Sequence, residues 1–411
     1  MRETLVTNLT ILAGDEFQRI DRGNLLIEND TIRYLGPGHP DVHRPDLTVN
    51  GSGLLAIPGL IDAHTHIGDS VAKDLGVGMT LKELVHPLHG IKAQLLAKES
   101  PESIRAAIRQ TASDMLSSGI TTFADFREGG VQGIQLARLA LKQCRQRVLL
   151  LCRPNFVYSE MQVTENVALT ETVVQETKEG LAVSNGLGLS GANEYTQIAL
   201  EQLSKLATQT GKPIAIHAAE SQEAVKFSQE KFQATEIQRI LECMTPSMIV
   251  HATHASLDDI RRISERGIGV VCCPRANASL GVGFPPIGTL LQQKIRVALG
   301  TDNVMLNAPD MFREMDYASR MITANALDPA AASSTEILRM ATVNPAEILG
   351  LSSKLGTLDV GKKADIIFID LSAQNLNFSR DLVSSLVHRA RPDNITCVMI
   401  DGEIVHGSIE Q

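Results

Sequence analysis

The stretch Gly59-Leu60-Ile61-Asp62-Ala63-His64-Thr65-His66 decides how this chain is read. It closes an apolar run, residues 54–61, with two histidines one residue apart. In a β-strand, residues i and i+2 project to the same side. His64 and His66 would therefore point together and Thr65 away. Two parallel imidazoles at a strand end can hold one borderline divalent metal ion. A lone His-x-His is a weak signal, because two unrelated surface histidines give the same letters. The weight comes from the ends of other strands further along the chain.

Three later strand-like runs also end in metal-competent groups. Pro213-Ile214-Ala215-Ile216 leads into His217, Ala218, Ala219 and Glu220. Ser247-Met248-Ile249-Val250 leads into His251, Ala252, Thr253 and His254. Residues 295–300 lead into Thr301 and Asp302. Helical patterns lie between them, so the chain alternates strand and helix. In a closed parallel barrel the carboxyl ends of all strands face one site. His64, His66, His217, His251 and Asp302 would converge there, with Glu220 just beyond its strand end.

The chain ends read differently. Before residue 55 and again from 352 onward there are short strands and turns, including the hairpin signal Asp401-Gly402. Neither end has enough strands to be stable alone. The expected organisation is a (β/α)8 barrel over residues 56–351 and one small composite β-sandwich from residues 1–55 and 352–411. The segment 68–96 is long for a strand-to-helix connection and carries His86, Pro87, His89 and Gly90. Long connections at this face of a barrel shape or cover a site. His39, His43, His388 and His406 fall in the end segments and read as surface residues.

A chain of 411 residues suits a barrel plus an accessory module. The net charge of −9 leaves no basic stripe to neutralise phosphates, which argues against a nucleic-acid polymer as partner. No apolar run nears the ~18 residues that span a bilayer, and Met1-Arg2-Glu3-Thr4 lacks the build of a signal peptide. None of the six cysteines forms a C-x-x-C pair, so buried free thiols and a cytoplasmic setting are expected. Aromatic residues make up only 3% and tryptophan is absent, leaving an aromatic substrate little ring surface to stack on.

The order His-x-His, His-x-x-Glu, His, Asp resembles the amidohydrolase superfamily, and within it the mononuclear deaminase branch of the cytosine deaminase and S-adenosylhomocysteine deaminase kind. The resemblance covers nearly the whole chain. It also includes Pro58-Gly59-Leu60, Gly300-Thr301-Asp302, Asn344-Pro345-Ala346, Gly356-Thr357-Leu358 and Gly361-Lys362-Lys363-Ala364-Asp365. It implies one divalent metal ion, with Zn²⁺ the best match to the donors and Fe²⁺ or Mn²⁺ the alternatives. It implies His64, His66, His217 and Asp302 as ligands, and His251 as a hydrogen-bonding partner of the attacking water. From sequence, direct ligation fits His251 equally well. It also implies that Glu220 shuttles a proton to a ring nitrogen of the substrate. Asp302 would accept the water's proton and help deliver it to departing ammonia. Ser190-Gly191-Ala192-Asn193-Glu194 lacks the lysine that bridges two metals in binuclear relatives, which favours one ion.

The expected activity is hydrolytic deamination of a heteroaromatic amidine: a nucleobase, nucleoside or pterin-like compound. The alternative is hydrolysis of a cyclic amide or other non-peptide C–N bond, as in imidazolonepropionase-like relatives. Arg127, Asn193 and His254 are the candidate substrate contacts. Arg127 could equally pair with Glu128 or Asp125, and His254 could equally orient the neighbouring His251 or be purely structural. Arg153, Arg275 and Asn307 also follow strand ends. A small-molecule substrate, no membrane partner and a homo-oligomer, a dimer or larger, complete the expectation.

Overall fold

The computed structural model of this chain describes residues 2–42, 44–86 and 89–409. His43 and Pro87 lie outside the described residues. Seven parallel strands run in order: Leu60–His66, Ile120–Arg127, Arg147–Cys152, Gly186–Leu189, Ile214–Ala218, Met248–His251 and Gly269–Cys272. The eighth is split. Val297–Leu299 pairs with Gly269–Cys272, and after a kink Asp302–Asn303 pairs with Leu60–His66. The second piece closes the ring and sets Asp302 opposite Thr65, between the two histidines.

Every residue of Ile120–Arg127 is buried, as expected of a strand covered on both faces. The helix Pro101–Ser117 shows how the outer layer is held. Its Ile104, Ile108, Ala112 and Met115 recur at helical spacing and are buried. Ser100 caps it by accepting the Ser103 N–H at 3.1 Å, and Pro101 occupies its first turn.

The apolar run 54–61 is not one strand. It breaks at Gly59 into Leu54–Pro58 and Leu60–His66, which belong to different sheets. A Cβ at Gly59 would lie 2.1 Å from Thr121 Oγ1, so no larger residue fits this crossing. Leu54–Pro58 pairs antiparallel with Ile366–Asp370 and parallel with Glu3–Ala13. Both chain ends thus enter one eight-stranded mixed sheet, which encloses a shared core of Val6, Leu25 and Ile27 with Ile366, Phe368 and Met399. The expected boundary at 55/56 falls inside one of its strands.

The strands that face the barrel use the two-residue period. Ile366 and Phe368 join the core of the end sheet, while Ile367 and Ile369 join the barrel core. This explains why residues 366–369 read as unbroken apolar sequence. Part of the C-terminal tail leaves the sheet altogether: the helix Leu382–His388 buries Leu386 and Val387 in the barrel core. Across the junction, Arg147 binds Asp365 at 3.1 Å through both Nε and Nη2, and Nη2 also meets Asp401. Among the described residues no helix is long and apolar enough to cross a membrane.

Candidate active site

A cavity of about 650 Å³ opens at the carboxyl ends of the barrel strands, lined by His66, His217, Glu220, His251 and Asp302 among others. His64 is not part of that lining. It is fully buried, with its ring centroid 4.9 Å from those of both His66 and His217. Neither His64 nitrogen has a hydrogen-bond partner, although Nε2 lies 3.3 Å from Asp302 Oδ1. Burial pulls the His64 pKa down to about 3, so the ring is neutral at physiological pH.

Carbonyl oxygens fix the other two rings. His217 Nδ1 lies 2.7 Å from the Leu189 carbonyl, and His66 Nδ1 lies 3.1 Å from the Phe126 carbonyl. A carbonyl can only accept, so each Nδ1 carries the hydrogen and each Nε2 keeps its lone pair for the site. His66 Nε2 is 3.6 Å from Asp302 Oδ1. Burial and the neighbouring imidazoles of His64, His251 and His66 also lower the His217 pKa well below the usual range, burial most strongly, with the neighbouring Leu189 carbonyl opposing. Burial would raise the Asp302 carboxyl, but the adjacent imidazoles of His64, His251 and His66 hold it below the ordinary range.

The donors fall into overlapping groups. Ligand atoms of His64, His66 and His217 lie within 4.8 Å of one another, as do those of Glu220, His251 and Asp302. Cys273, His64 and Asp302 form a third such group. Three nitrogens and one carboxylate, with a buried imidazole otherwise unpartnered, fit one borderline divalent ion. His66, His217, His64 and Asp302 are the residues that would hold it.

Glu220 and His251 sit on the cavity side, with Glu220 Oε1 3.6 Å from His251 Nε2. Burial raises the Glu220 pKa. His251 Nδ1 lies 3.3 Å from the Asn277 side-chain amide nitrogen. That nitrogen donates, so His251 Nδ1 accepts and Nε2 carries the hydrogen.

The expected substrate contacts fare unequally. Asn193 does not line the cavity. Its amide nitrogen donates to the Ala224 carbonyl at 2.9 Å and its oxygen accepts from Arg239 at 3.1 Å, so both ends are committed to the scaffold. His254 is also absent from the lining; its Nε2 lies 2.5 Å from the Val282 carbonyl. Arg127 does line the wall, but Nη2 binds Glu128 at 3.0 Å and Nη1 is buried without a partner. A Cβ at Gly68 would lie 1.6 Å from that Nη1, so glycine makes room for the guanidinium. Arg153 lines the cavity 3.6 Å from Glu194, whereas Arg275 turns to Glu314 at 3.2 Å.

A model of the amidohydrolase family matches residues 55–405. The chain belongs to the amidohydrolase family. It is 37% identical over 399 residues to an uncharacterized protein of Methanocaldococcus jannaschii, covering 95% of this chain and 96% of that one. It is 30% identical to a 5-methylthioadenosine/S-adenosylhomocysteine deaminase of Pyrococcus furiosus, covering 98% and 94%. Among solved structures it is similar to an adenosine deaminase from Xanthomonas campestris with bound zinc, with a TM-score of 0.85, 22% identity, and coverage of 99% and 93%.

Sequence reasoning about this amidohydrolase missed several residues around the site. Asp62 sat in the quoted stretch as an acid inside an apolar run. It is buried and accepts from Thr301 Oγ1 at 2.5 Å and Thr301 N–H at 3.0 Å, tying the first strand to the eighth. Burial lifts its pKa to about 7 despite those bonds. Glu128 was visible only as a partner for Arg127. Asp69 and Lys92 gave no signal at all, because each is a polar residue in a short helix without periodic neighbours.

Proposed function

We propose that this amidohydrolase is a mononuclear metal-dependent deaminase of a heteroaromatic amidine of the nucleobase or nucleoside kind. The observation that carries the reading is the convergence of three inward-facing imidazoles and Asp302 beneath a protonatable Glu220. The deaminase names of the Pyrococcus relative and the Xanthomonas neighbour support it. So does the zinc in the latter. When bound, the ion supplies Lewis-acid activation of water near neutral pH.

The protein's own groups do the remainder. His251 holds the attacking water through its Nε2–H. Asp302 accepts the water's proton. Glu220 places a proton on the ring nitrogen beside the carbon under attack, so that this carbon becomes tetrahedral. Collapse of that adduct breaks the exocyclic C–N bond: the proton on Asp302 leaves with ammonia, and the hydroxyl proton returns to Glu220 as the carbonyl forms. Arg153 and Glu194 at the cavity wall are offered as contacts for polar substituents of the substrate. Asn193, committed at both ends, is not among them.

Residence in the cytoplasm and assembly as a homo-oligomer belong to the same proposal. Free thiols at all six cysteines, four of them buried, support the first. Light scattering on the purified chain tests the second. The function is tested by screening aminopurines, aminopyrimidines, pterins and their nucleosides for ammonia release by the zinc-loaded protein. Ring opening of cyclic amides without ammonia release would replace this reading with the cyclic-amide alternative.

A further inference from the structure

The only buried side chain of the Ile91–Lys98 helix is a lysine: Lys92 is 7% exposed. Lysine is almost never buried unless paired. Here the ammonium is paired twice, 2.7 Å from Glu128 Oε1 and 3.3 Å from Asp69 Oδ2. Both carboxylates lead back to the metal-competent residues. Glu128 Oε1 lies 3.2 Å from His66 Nδ1. Asp69 accepts from the Asn303 side chain at 2.8 Å and from the Met305 N–H at 3.0 Å, in the segment that leaves Asp302. The helix itself contributes Lys92, Ala93, Leu96 and Ala97 to the cavity lining.

We propose that Lys92 is a positioning residue: it pins the Ile91–Lys98 helix as a wall of the site and holds the Glu128 carboxylate against His66 Nδ1. Without the ammonium, Glu128 and Asp69 lose their shared counter-charge and repel. Arg127, already 3.0 Å from Glu128 Oε2, then draws that carboxylate to itself. His66 is left with the Phe126 carbonyl alone, and its ring loses one of two restraints on the orientation of Nε2. The wall-helix half stands on geometry alone; the His66 half rests on the metal-dependent reading above.

The test compares wild type, K92M, K92R and E128Q. Amide hydrogen exchange is read in the metal-free proteins, and Co²⁺ affinity and the visible Co²⁺ spectrum in the loaded ones. K92M is expected to speed exchange across residues 91–98 by tenfold or more while the barrel strands keep wild-type rates. It is expected to weaken Co²⁺ binding roughly 10–100-fold, as loss of an outer hydrogen-bonding partner does, with a shifted visible band. K92R, which keeps the charge, is expected to recover most of both. Unchanged exchange and an unchanged Co²⁺ spectrum in K92M overturn the proposal. A lower melting temperature with an unaltered spectrum, the mark of a plain structural anchor, overturns the His66 half. If K92M yields no folded protein, E128Q decides on the same readouts. A wild-type chain that binds no Co²⁺ sinks the functional reading and the His66 half with it, while exchange in the metal-free proteins still decides the wall-helix half.

Discussion

Replacing Glu220 by glutamine separates proton transfer from metal binding. The side chain is 17% exposed and stands 3.6 Å from His251 Nε2, outside the cluster of three imidazoles. Glutamine keeps its size and its acceptor oxygen but has no proton to give. A general acid–base step contributes about 10²–10⁴ in rate, which corresponds to about 3–5 kcal/mol of barrier. E220Q is therefore expected to retain close to one equivalent of metal by elemental analysis and to lose at least roughly 10² in ammonia release. Stability should move the other way. Burial raises the folded-state pKa of Glu220 above its unfolded value. Stability from this group is then complete below the ordinary glutamate range and is lost as pH rises through the raised folded value. Glutamine suffers no such loss, so metal-free E220Q should melt no lower than metal-free wild type above neutral pH. Near-normal turnover with full metal would remove Glu220 from the chemistry. A steep fall in melting temperature at pH 8 would show that its carboxylate holds the fold instead.

Three further outcomes are expected. D302N and H217N should bind metal more weakly by more than the roughly 10–100-fold that losing an outer partner costs, whereas H251N should keep nearly one equivalent by elemental analysis. Deletion of residues 357–411 removes the partner strand of Leu54–Pro58 and uncovers Leu55 and Ile57 together with Val6, Leu9, Ile11, Leu25, Ile27 and Ile32 of the N-terminal strands. At about 1.5–3 kcal/mol for each large apolar side chain, this exceeds the stability of a typical domain, and the truncated chain should aggregate; a soluble product with cooperative unfolding would break the shared-sheet assignment. Glu314 is fully buried beside Arg275, and burial lifts its pKa to about 8 despite the guanidinium. Its contribution to stability is full below the ordinary glutamate range and lost as pH rises through about 8, so E314Q should shrink the drop in melting temperature between pH 5 and pH 9, and an unchanged drop would refute the assignment.

The legible part of this molecule was the part with a period. Strands buried on both faces write themselves as short apolar runs, and His64, His66, His217, His251 and Asp302 stand at their ends. The same property hid the break at Gly59. Leu54–Pro58 and Leu60–His66 are both almost wholly buried, so apolarity cannot mark where the chain leaves one sheet for the other. Asn193 failed for a different reason. Its position after a strand was read correctly, but its partner Arg239 comes from a helix more than forty residues on, with its guanidinium 3.6 Å over the Phe232 ring. Lys92 was invisible because burial of a charge depends on two carboxylates from other segments, which only the closed barrel brings to it.

The backbone at the strand ends explains why the site converges at all. Alternation along one strand accounts for His64 and His66, but not for Glu220, His251 and Asp302. Those depend on left-handed turns at non-glycine residues: Ala219 at φ +50°, His251 at +72°, Ala252 at +49° and Asp302 at +63°. Each such residue costs on the order of 1–3 kcal/mol and persists only where its surroundings enforce it. The enforcement is visible. The Ala219 N–H donates to buried Glu236 at 3.0 Å, Ala252 N–H to the Ala218 carbonyl at 3.1 Å, and His254 N–H to the Ala219 carbonyl at 2.8 Å. The two strands thus leave the barrel through coupled turns, and the coupling carries Glu220 and His251 toward the same point. Glycine or asparagine in those positions would have announced the turns in the sequence. Alanine does not, and histidine and aspartate, though commoner there than most residues, do so only weakly, because here the conformation is imposed by neighbouring strands rather than chosen by the residue.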